Sequence, residues 1–442
     1  MNQIGEWLHQ HGVRHVECLF SDLTGSARGK LLPTDTLIAT GELRFSQVAL
    51  VQSVTGDCLQ ELVPELDPDM RLVADAASLR MLPWTREPTA LLIHDCLYED
   101  GTPVPFSPRN VLKRVLARYT ELGLRPVVAP EMEFYLFAPR ERADQPPMPP
   151  RSPQGMSERV RQPYSLDRLQ EQSPAMDAVL AGCQTMGLRA DTLLHEVGNG
   201  QLEINLLHGD ALELADQAFL FKRLVRQTAN EHGLQACFMA KPLADDAGSA
   251  MHIHQSLVWA DSGRNAFSQE DGAEAPRFGH YIAGLQRYLP EALLLLAPYV
   301  NSYRRLAPFT AAPINVEWGY DNRTCGLRIP HCNAHSRRVE NRLPGVDVNP
   351  YLAMAATLAC GLLGLTEERQ PSAPLSGSAY GRPYAFPRTQ LEAIERLQAC
   401  QPLINLLGTE FVGTYSQLKQ SEWREFNRQV TAWEHRYLLD NV

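Results

Sequence analysis

The chain has 442 residues, of which 44% are hydrophobic and 21% charged, a balance typical of a globular protein. This length exceeds what one hydrophobic core usually supports, so we expect at least two domains. The formal net charge of −10 argues against nucleic acid or an anionic membrane as the main partner.

The first residues, MNQIGEWLHQHG, lack a basic segment followed by an apolar stretch, so we expect no signal peptide. The apolar run ALLLLA at 292–297 ends at a proline and is too short to cross a bilayer. The nine cysteines stand singly, without a CxxC pair, which favours free thiols over a disulfide framework or a zinc site. Together these features predict a cytoplasmic protein.

In chain order, 16–20 and 90–96 are predicted as short strands because they are apolar and lie between turn-rich segments. A helix is predicted over 108–123, with Ser107 as its cap, a proline in its first turn and a glycine at its end.

The segment GTPVPFSP at 101–108 has the composition of a linker and predicts a domain boundary near residue 105. The proline- and arginine-rich stretch 139–163 predicts an exposed loop. Helical periodicity from Leu391 onward predicts a helical tail.

Four segments carry candidate chemistry, and the first is PVVAPEMEFYLF at 126–137. In a strand, Glu131 and Glu133 point to the same face. Two adjacent carboxylates in an apolar sheet are costly unless they are paired or bind cations. An edge strand with one solvated face is an equally good interpretation of this segment alone.

The second segment is HEVGNGQLEIN at 195–205. Its Asn199-Gly200 pair predicts a two-residue type I′ hairpin. That register places Glu196 opposite Glu203, where like charges destabilise the hairpin unless a metal lies between them. A solvated hairpin is the alternative.

The third segment is GSAMHIHQSL at 248–257. Alternation places His252, His254 and Ser256 on one face of a strand. Two histidines on one face favour contact with metal or phosphate, although a lone histidine is usually structural.

The fourth segment, 301–350, is rich in arginine and includes Glu340. Its arginines are Arg304, Arg305, Arg323, Arg328, Arg337, Arg338 and Arg342. Planar guanidinium groups suit carboxylates and phosphates, and these arginines lie in apolar, strand-like sequence. The alternative is a solvated basic surface patch.

These segments supply five glutamates and a histidine as candidate metal ligands. Ligands rich in oxygen favour Mg²⁺ or Mn²⁺ over zinc. The residues alone therefore predict two-metal hydrolysis or phosphoryl transfer.

The four segments, with NSYRRL, NRTCGLRIP, RRVENRLPG and DVNPYLAMA, resemble the glutamine synthetase superfamily, in the same order and over essentially the whole chain. The resemblance implies an α+β fold, with an N-terminal β-grasp domain over 1–105. It implies a catalytic domain of antiparallel strands backed by helices over 106–442. It also implies a hexameric ring or stacked dodecamer, with each active site between neighbouring subunits.

The resemblance implies ATP as a substrate and two to three Mg²⁺ or Mn²⁺ ions per active site. The implied ligands of the first metal are Glu133, Glu196 and Glu203. Those of the second metal are Glu131, His252 and Glu340. The implied ATP contacts are His254, Ser256, Arg328 and Arg338. The implied contacts to L-glutamate and the transferring phosphoryl group are Gly248, Arg305, Arg323 and Arg342. The implied catalytic residues are Glu196, Arg323 and Arg328.

Two positions depart from glutamine synthetases that use ammonia. Ser46, in FSQVA, replaces an aspartate of the ammonium site, and Ala311 replaces a glutamate six residues after Arg305. Both changes remove a carboxylate and open volume, so we expect an amine pocket at Ser46 and Ala311.

The pattern resembles the γ-glutamyl-polyamine and γ-glutamyl-monoamine synthetases of amine catabolism. It implies that glutamate is activated as γ-glutamyl phosphate and joined to a polyamine such as putrescine or to a bulky monoamine. The alternatives are a glutamine synthetase that uses ammonia and, in a different class, a non-catalytic ring-forming structural or regulatory homologue.

Overall fold

The structure is a computed structural model that describes residues 2–142, 144–151, 155 and 160–442. Two β-sheets organise the chain. Within the described part, no helix combines the length and the apolar character needed to span a membrane.

The first sheet has six strands in the order β2-β1-β6-β4-β3, with β5 also paired to β6. Its strands are β1 (His15–Ser21), β2 (Ala27–Pro33), β3 (Leu43–Ser46), β4 (Asp69–Ala74), β5 (Arg80–Met81) and β6 (Thr89–Leu97). Only β1 and β6 run parallel. The strands predicted at 16–20 and 90–96 are confirmed as β1 and β6.

The second sheet has nine strands in the order β13-β14-β15-β12-β7-β9-β8, with β10 and β11 also paired to β7. Its strands are β7 (Leu124–Phe137), β8 (Ala190–His195), β9 (Gln201–Leu206), β10 (Gly209–Asp210), β11 (Gln235–Cys237), β12 (Met251–Trp259), β13 (Trp318–Tyr320), β14 (Leu327–Ile329) and β15 (Val339–Asn341). The predicted strand at 126–137 is confirmed as part of β7. It lies between β12 and β9, so the edge-strand interpretation is wrong.

Thirteen helices are present in the described residues. They are α1 (Asn2–Gln10), α2 (Thr34–Thr40), α3 (Pro108–Glu121), α4 (Leu166–Glu171), α5 (Ser173–Met186), α6 (Ala211–Glu231), α7 (Pro276–Tyr288), α8 (Leu293–Leu296), α9 (Pro350–Thr366), α10 (Gln390–Ala399), α11 (Gln401–Leu407), α12 (Thr409–Asn427) and α13 (Ala432–Leu438). The last four confirm the helical tail. The α+β fold predicted from the sequence is therefore confirmed.

Helix α9 is buried along nearly its whole length and packs closely on α7. A side chain at Gly284 of α7 would overlap the backbone of Cys360 and Gly364. Glycine at this crossing lets the two helix backbones approach each other, which few other residues would allow.

The predicted helix at 108–123 is confirmed as α3, which ends at Glu121, with Gly123 at φ 68°. Ser107 occupies the predicted cap position, but its side chain makes no capping hydrogen bond. Its hydroxyl interacts instead with the buried thiol of Cys96.

The described residues of 139–163 contain no helix or strand and are mostly exposed, as an exposed loop requires. Positions 143, 152–154 and 156–159 of that prediction lie outside the described residues.

Arg109, near the start of α3, joins the first sheet to two long helices through a buried network. Its guanidinium donates to Asp75 (2.5 Å) and Asp95 (2.6 Å) of the first sheet and its flank. It also makes a bidentate contact with Asp216 of α6, at 3.0 and 2.9 Å. The hydroxyl of Tyr351 in α9 donates to the same carboxylate at 2.6 Å. One cation therefore connects the first sheet to helix α6 and, through Asp216, to helix α9.

Replacing Arg109 with methionine should lower the unfolding free energy by about 3–5 kcal/mol, because three partly buried carboxylates lose their shared cation. The measurement is the apparent unfolding temperature. Arg118→Met is the matched control on the same helix, since the Arg118–Glu121 pair is exposed and should contribute little. Equal melting of the two variants would show that the Arg109 network does not hold the sheets together.

Candidate active site

Strand pairing brings together the carboxylates of the second sheet. On one side of β7, Glu131 lies opposite His252 of β12. On the other side, Glu133 lies opposite Glu203 of β9. The predicted shared face of Glu131 and Glu133 therefore becomes the floor of one acidic pocket.

Two imidazoles contact Glu131. His252 Nδ1 lies 3.2 Å from Glu131 Oε2, and His254 Nε2 lies 2.8 Å from Glu131 Oε1. Ligand atoms of Glu131, His254 and Glu340 all lie within 4.8 Å of one another, and His252 Nδ1 is 3.7 Å from Glu340 Oε1. Both histidines therefore face the carboxylates, including His254, which the resemblance assigns to ATP. Burial lowers the pKa of His252 to about 4, which keeps it neutral and able to bind a metal.

Glu340 is buried between two arginines. Its carboxylate accepts hydrogen bonds from Arg328 Nη1 at 2.8 Å and from Arg342 Nη1 at 2.6 Å. Burial alone would raise its pKa, but Arg342 and the nearby histidines lower it to about 2. Glu340 is therefore ionised at neutral pH.

Glu133, Glu196 and Glu203 lack such partners. Among the described residues, no lysine or arginine forms an ion pair with any of them. Burial and the charge of Glu196 raise the pKa of Glu133 to about 8. Burial and the charges of Glu133 and Glu131 raise the pKa of Glu203 to about 9. Two buried carboxylates, Glu133 and Glu203, and the half-buried Glu196 lack a Lys or Arg ion pair, and they form a donor set that fits a hard divalent ion.

The predicted hairpin register between Glu196 and Glu203 is wrong. Only Gly200 has a positive φ, 76°, whereas a type I′ turn also requires one at Asn199. Gln201 N–H donates to the carbonyl three residues earlier at 3.0 Å, and Glu196 N–H donates to the Gln201 carbonyl at 2.8 Å. This is a type II arrangement with glycine at its third position. Glu196 therefore lies opposite Gln201, and Glu203 faces β7 instead.

Three of the four residues predicted to hold glutamate come together. A side chain on Gly248 would lie 2.7 Å from the Arg305 side chain, so glycine allows this close approach. Arg305 is buried and donates to the carbonyls of Leu343 (2.8 Å) and Arg342 (3.0 Å). Arg323, by contrast, is exposed in the turn between β13 and β14.

The residues predicted to contact ATP line the β12–β15 side of the pocket. Arg338 Nε lies 3.3 Å from His254 Nδ1, and Arg328 also donates to Asp321 at 3.0 Å. The hydroxyl of Ser256 donates to the Arg337 carbonyl at 2.8 Å. All of these side chains bond to other groups of the protein.

The two predicted amine-pocket residues lie apart, with no described contact between them. Ser46 lies on edge strand β3 of the first sheet, and its hydroxyl donates to Asp67. Ala311 is exposed in the loop after Arg305, with φ 61°. In the same loop, Phe309 is 82% exposed and packs on Tyr380 with ring centroids 5.1 Å apart.

The sequence analysis missed two residues at the pocket. Gln201 donates to the Gly248 carbonyl at 3.0 Å and to Glu133 at 3.4 Å, so it ties two parts of the site together. Gln201 lies two residues before Glu203 on the same strand, and this spacing predicts that both side chains point to the same face. Tyr164 lies near Glu196 because its backbone bonds across the chain to the residue before that glutamate, which no local pattern reveals.

Comparison with known proteins agrees with this geometry. The family model described as "Glutamine synthetase, catalytic domain" matches residues 105–438. A γ-glutamylputrescine synthetase from Escherichia coli (strain K12) is 36% identical, over 97% of this chain and 92% of that protein. A glutamate–isopropylamine ligase from a Pseudomonas species is 31% identical, over 100% and 98% respectively.

A solved structure of a GmaS–ADP complex superposes with a TM-score of 0.88 at 30% identity and covers all of both chains. The order of strands, the acidic pocket and the similarity along the whole chain lead to one assignment. The chain belongs to the glutamine synthetase superfamily and is an ATP-dependent ligase that joins a carboxylate to an amine.

Proposed function

We propose that this protein joins the γ-carboxylate of L-glutamate to an organic amine, in the catabolism of polyamines or monoamines. The observation that carries the choice of amine is the neutral Ala311 at the mouth of the site, bonded through its carbonyl to Arg342 at 3.3 Å. The γ-glutamylputrescine and glutamate–isopropylamine ligases similar to the chain support the same choice.

The metal ligands in this proposal form two sets of three residues in the pocket. Glu133, Glu196 and Glu203 would hold one Mg²⁺ or Mn²⁺ ion, because burial raises the pKa of each and no Lys or Arg among the described residues pairs with them. A second set would be Glu131, His252 and Glu340. When bound, the two to three ions neutralise charge on the phosphoryl oxygens.

The arginines would act on the anionic groups. Arg328 and Arg342 both bond to Glu340, so they are held beside the pocket before substrate binds. From there, their remaining N–H groups would donate to phosphate and carboxylate oxygens of the substrates. Arg305, held at Gly248, would bind glutamate, and Arg323 and Arg338 would approach from the rim.

The reaction would proceed in two displacements. A γ-carboxylate oxygen attacks the γ-phosphorus of ATP and ADP leaves, which yields γ-glutamyl phosphate. The neutral amine nitrogen then attacks the acyl carbon, phosphate leaves, and the nitrogen loses a proton. Phe309 and Tyr380 would form an apolar wall for the carbon chain of the amine.

We further infer a cytoplasmic hexamer or dodecamer, built from an N-terminal domain that ends near residue 105 and a catalytic domain after it. The start of the family match at residue 105 supports this division. Helix α13 and its flanks support self-association, because Trp433 and Leu439 there are 62% and 72% exposed.

An amine screen tests the proposed substrate. With ATP, Mg²⁺ and L-glutamate constant, phosphate release should give a higher kcat/KM for putrescine, spermidine or hydrophobic monoamines than for ammonium. If ammonium gives the highest kcat/KM, the protein is a glutamine synthetase. If no amine is turned over, it is a non-catalytic homologue.

The variant Ala311→Glu should raise the kcat/KM ratio of ammonium to organic amine by about 10-fold or more, because it restores a carboxylate beside a small cation. Ala311 already has a positive φ, so a glutamate there would adopt a backbone conformation that the alanine already tolerates. Ala117→Glu, at an exposed position of α3, is the control for the added charge and should leave the ratio unchanged. An unchanged ratio in Ala311→Glu would place this loop outside the amine site.

Metal binding should be visible in stability, independently of turnover. The pKa values of Glu133 and Glu203 are raised to about 8 and 9, so their protonated forms stabilise the fold at low pH. In the presence of a metal chelator, the unfolding temperature should therefore fall as pH rises from 6 to 9. Mn²⁺ should raise it again, and most strongly at pH 9, because metal requires ionised carboxylates.

The variant Glu203→Gln should flatten the metal-free pH dependence and lose most of the Mn²⁺-induced rise. Glu395→Gln, which changes an exposed glutamate, is the matched control. A full Mn²⁺ response in Glu203→Gln would exclude Glu203 as a ligand.

A further inference from the structure

A cavity of about 680 Å³ lies between the first sheet and the back of the catalytic sheet. Its walls come from the β1–β2 turn, helix α6, strand β11 and the residues that precede Arg305. None of the residues assigned above to metal, ATP, glutamate or amine lines it. It is therefore separate from the proposed active site.

The cavity is unusually basic for an acidic chain. Its charged lining residues are the cations Arg28, Arg140, Lys222 and Arg226 and the carboxylates Asp347 and Glu422. The chain as a whole carries a formal net charge of −10. A local excess of positive charge in such a chain favours an anionic occupant.

Four of these charged groups already bond within the protein, and two of the four, Glu422 and Arg28, are in ion pairs. Glu422 accepts from buried Lys419 at 2.9 Å. Asp347 accepts a hydrogen bond from a serine hydroxyl at 2.6 Å. Arg28 is paired with Asp22 at 2.7 Å. Arg140 bonds to the Gln235 side chain.

Among the described residues, no carboxylate forms a direct ion pair with Lys222 or Arg226, although Asp347 lies close enough to attract Lys222. They lie four residues apart on α6, so they share one face of the helix. Lys222 donates to the Val348 carbonyl at 2.7 Å, which leaves other ammonium hydrogens uncommitted. The guanidinium carbon of Arg226 lies 4.9 Å from the centre of the Phe238 ring. No described residue accepts a hydrogen bond from Arg226 or forms an ion pair with it.

The two cations also repel each other. Burial and the charge of Arg226 lower the pKa of Lys222 to about 7. Stacking on Phe238 occupies the face of the Arg226 guanidinium and leaves its N–H edge available. An anion that contacts both groups would reduce the repulsion and accept hydrogen bonds from buried Lys222 and from Arg226, which is exposed to solvent.

We propose that this cavity binds a small organic dianion, carrying carboxylate or phosphate groups, between Lys222 and Arg226. Phe238, Tyr299 and Phe426 also line the cavity and would contact the carbon skeleton. The volume lies within the range of small-molecule sites.

The bound dianion would change how the glutamate site binds its substrate. Asn301 in the cavity wall exchanges two hydrogen bonds with the Lys241 backbone, at 3.0 and 2.9 Å. It belongs to the short helix Val300–Arg304, directly before Arg305. Occupancy should therefore change KM for glutamate more than kcat. This consequence rests on the proposed function, whereas the binding site does not.

Titration calorimetry tests the site with two probes, succinate and glycerol 3-phosphate, in the presence of saturating L-glutamate to fill the glutamate site. We expect each chain of the wild-type protein to bind one molecule of at least one probe. Succinamide, which is similar in size to succinate but neutral, should not bind. Binding of one probe alone identifies the carboxylate or the phosphate as the preferred group.

Arg226→Gln should weaken binding by about 10-fold or more, since a charge-assisted hydrogen bond is lost. Its ligase activity without the dianion should equal that of wild type. Arg118→Gln is the control and should bind as wild type does. Absence of binding to wild type, or equal affinity in Arg226→Gln, would overturn the site. Binding with an unchanged KM for glutamate would overturn only its effect on catalysis, and the amine screen tests the ligase function separately.

Discussion

Repulsion between carboxylates that neighbouring strands hold side by side is the constraint on which the site depends. Glu133 and Glu203 are direct partners across β7 and β9, so neither can move away without breaking the sheet. Sheet hydrogen bonds thus maintain a charge arrangement that is unfavourable by itself. On the β15 side, Arg328 and Arg342 neutralise Glu340. Arginines therefore compensate the carboxylate on one side of the pocket, whereas Glu133 and Glu203 on the other side have no Lys or Arg ion pair among the described residues.

Features with a period of two were predictable from the sequence. The shared faces of Glu131 with Glu133, and of His252 with His254, follow from strand alternation and appear in the structure. The hairpin register was not predictable, because distant residues determine it. A side chain at Gly198 would overlap the Tyr135 hydroxyl, and Asn199 N–H donates to the distant Asp246 at 3.1 Å.

The arginine-rich segment shows a similar division. Arg305 and Arg342 are buried, as their apolar surroundings in the sequence suggested, and the solvated-patch interpretation is wrong for them. It fits Arg304 and Arg323, which are exposed. Charge pattern could not separate these cases, since burial of an arginine depends on backbone carbonyls such as Leu343 that only the fold brings near.

The Arg109 network also affects how the two sheets could be exchanged between related proteins. The first sheet supplies Asp95, but the groups that complete the network, Asp216 and Tyr351, belong to helices of the second. A chimaera that joins the N-terminal sheet of one relative to the catalytic sheet of another must preserve both halves of this network. The N-terminal sheet is therefore not a freely transplantable module, and compatible chimaeras are those in which both parents carry the same charges at this junction.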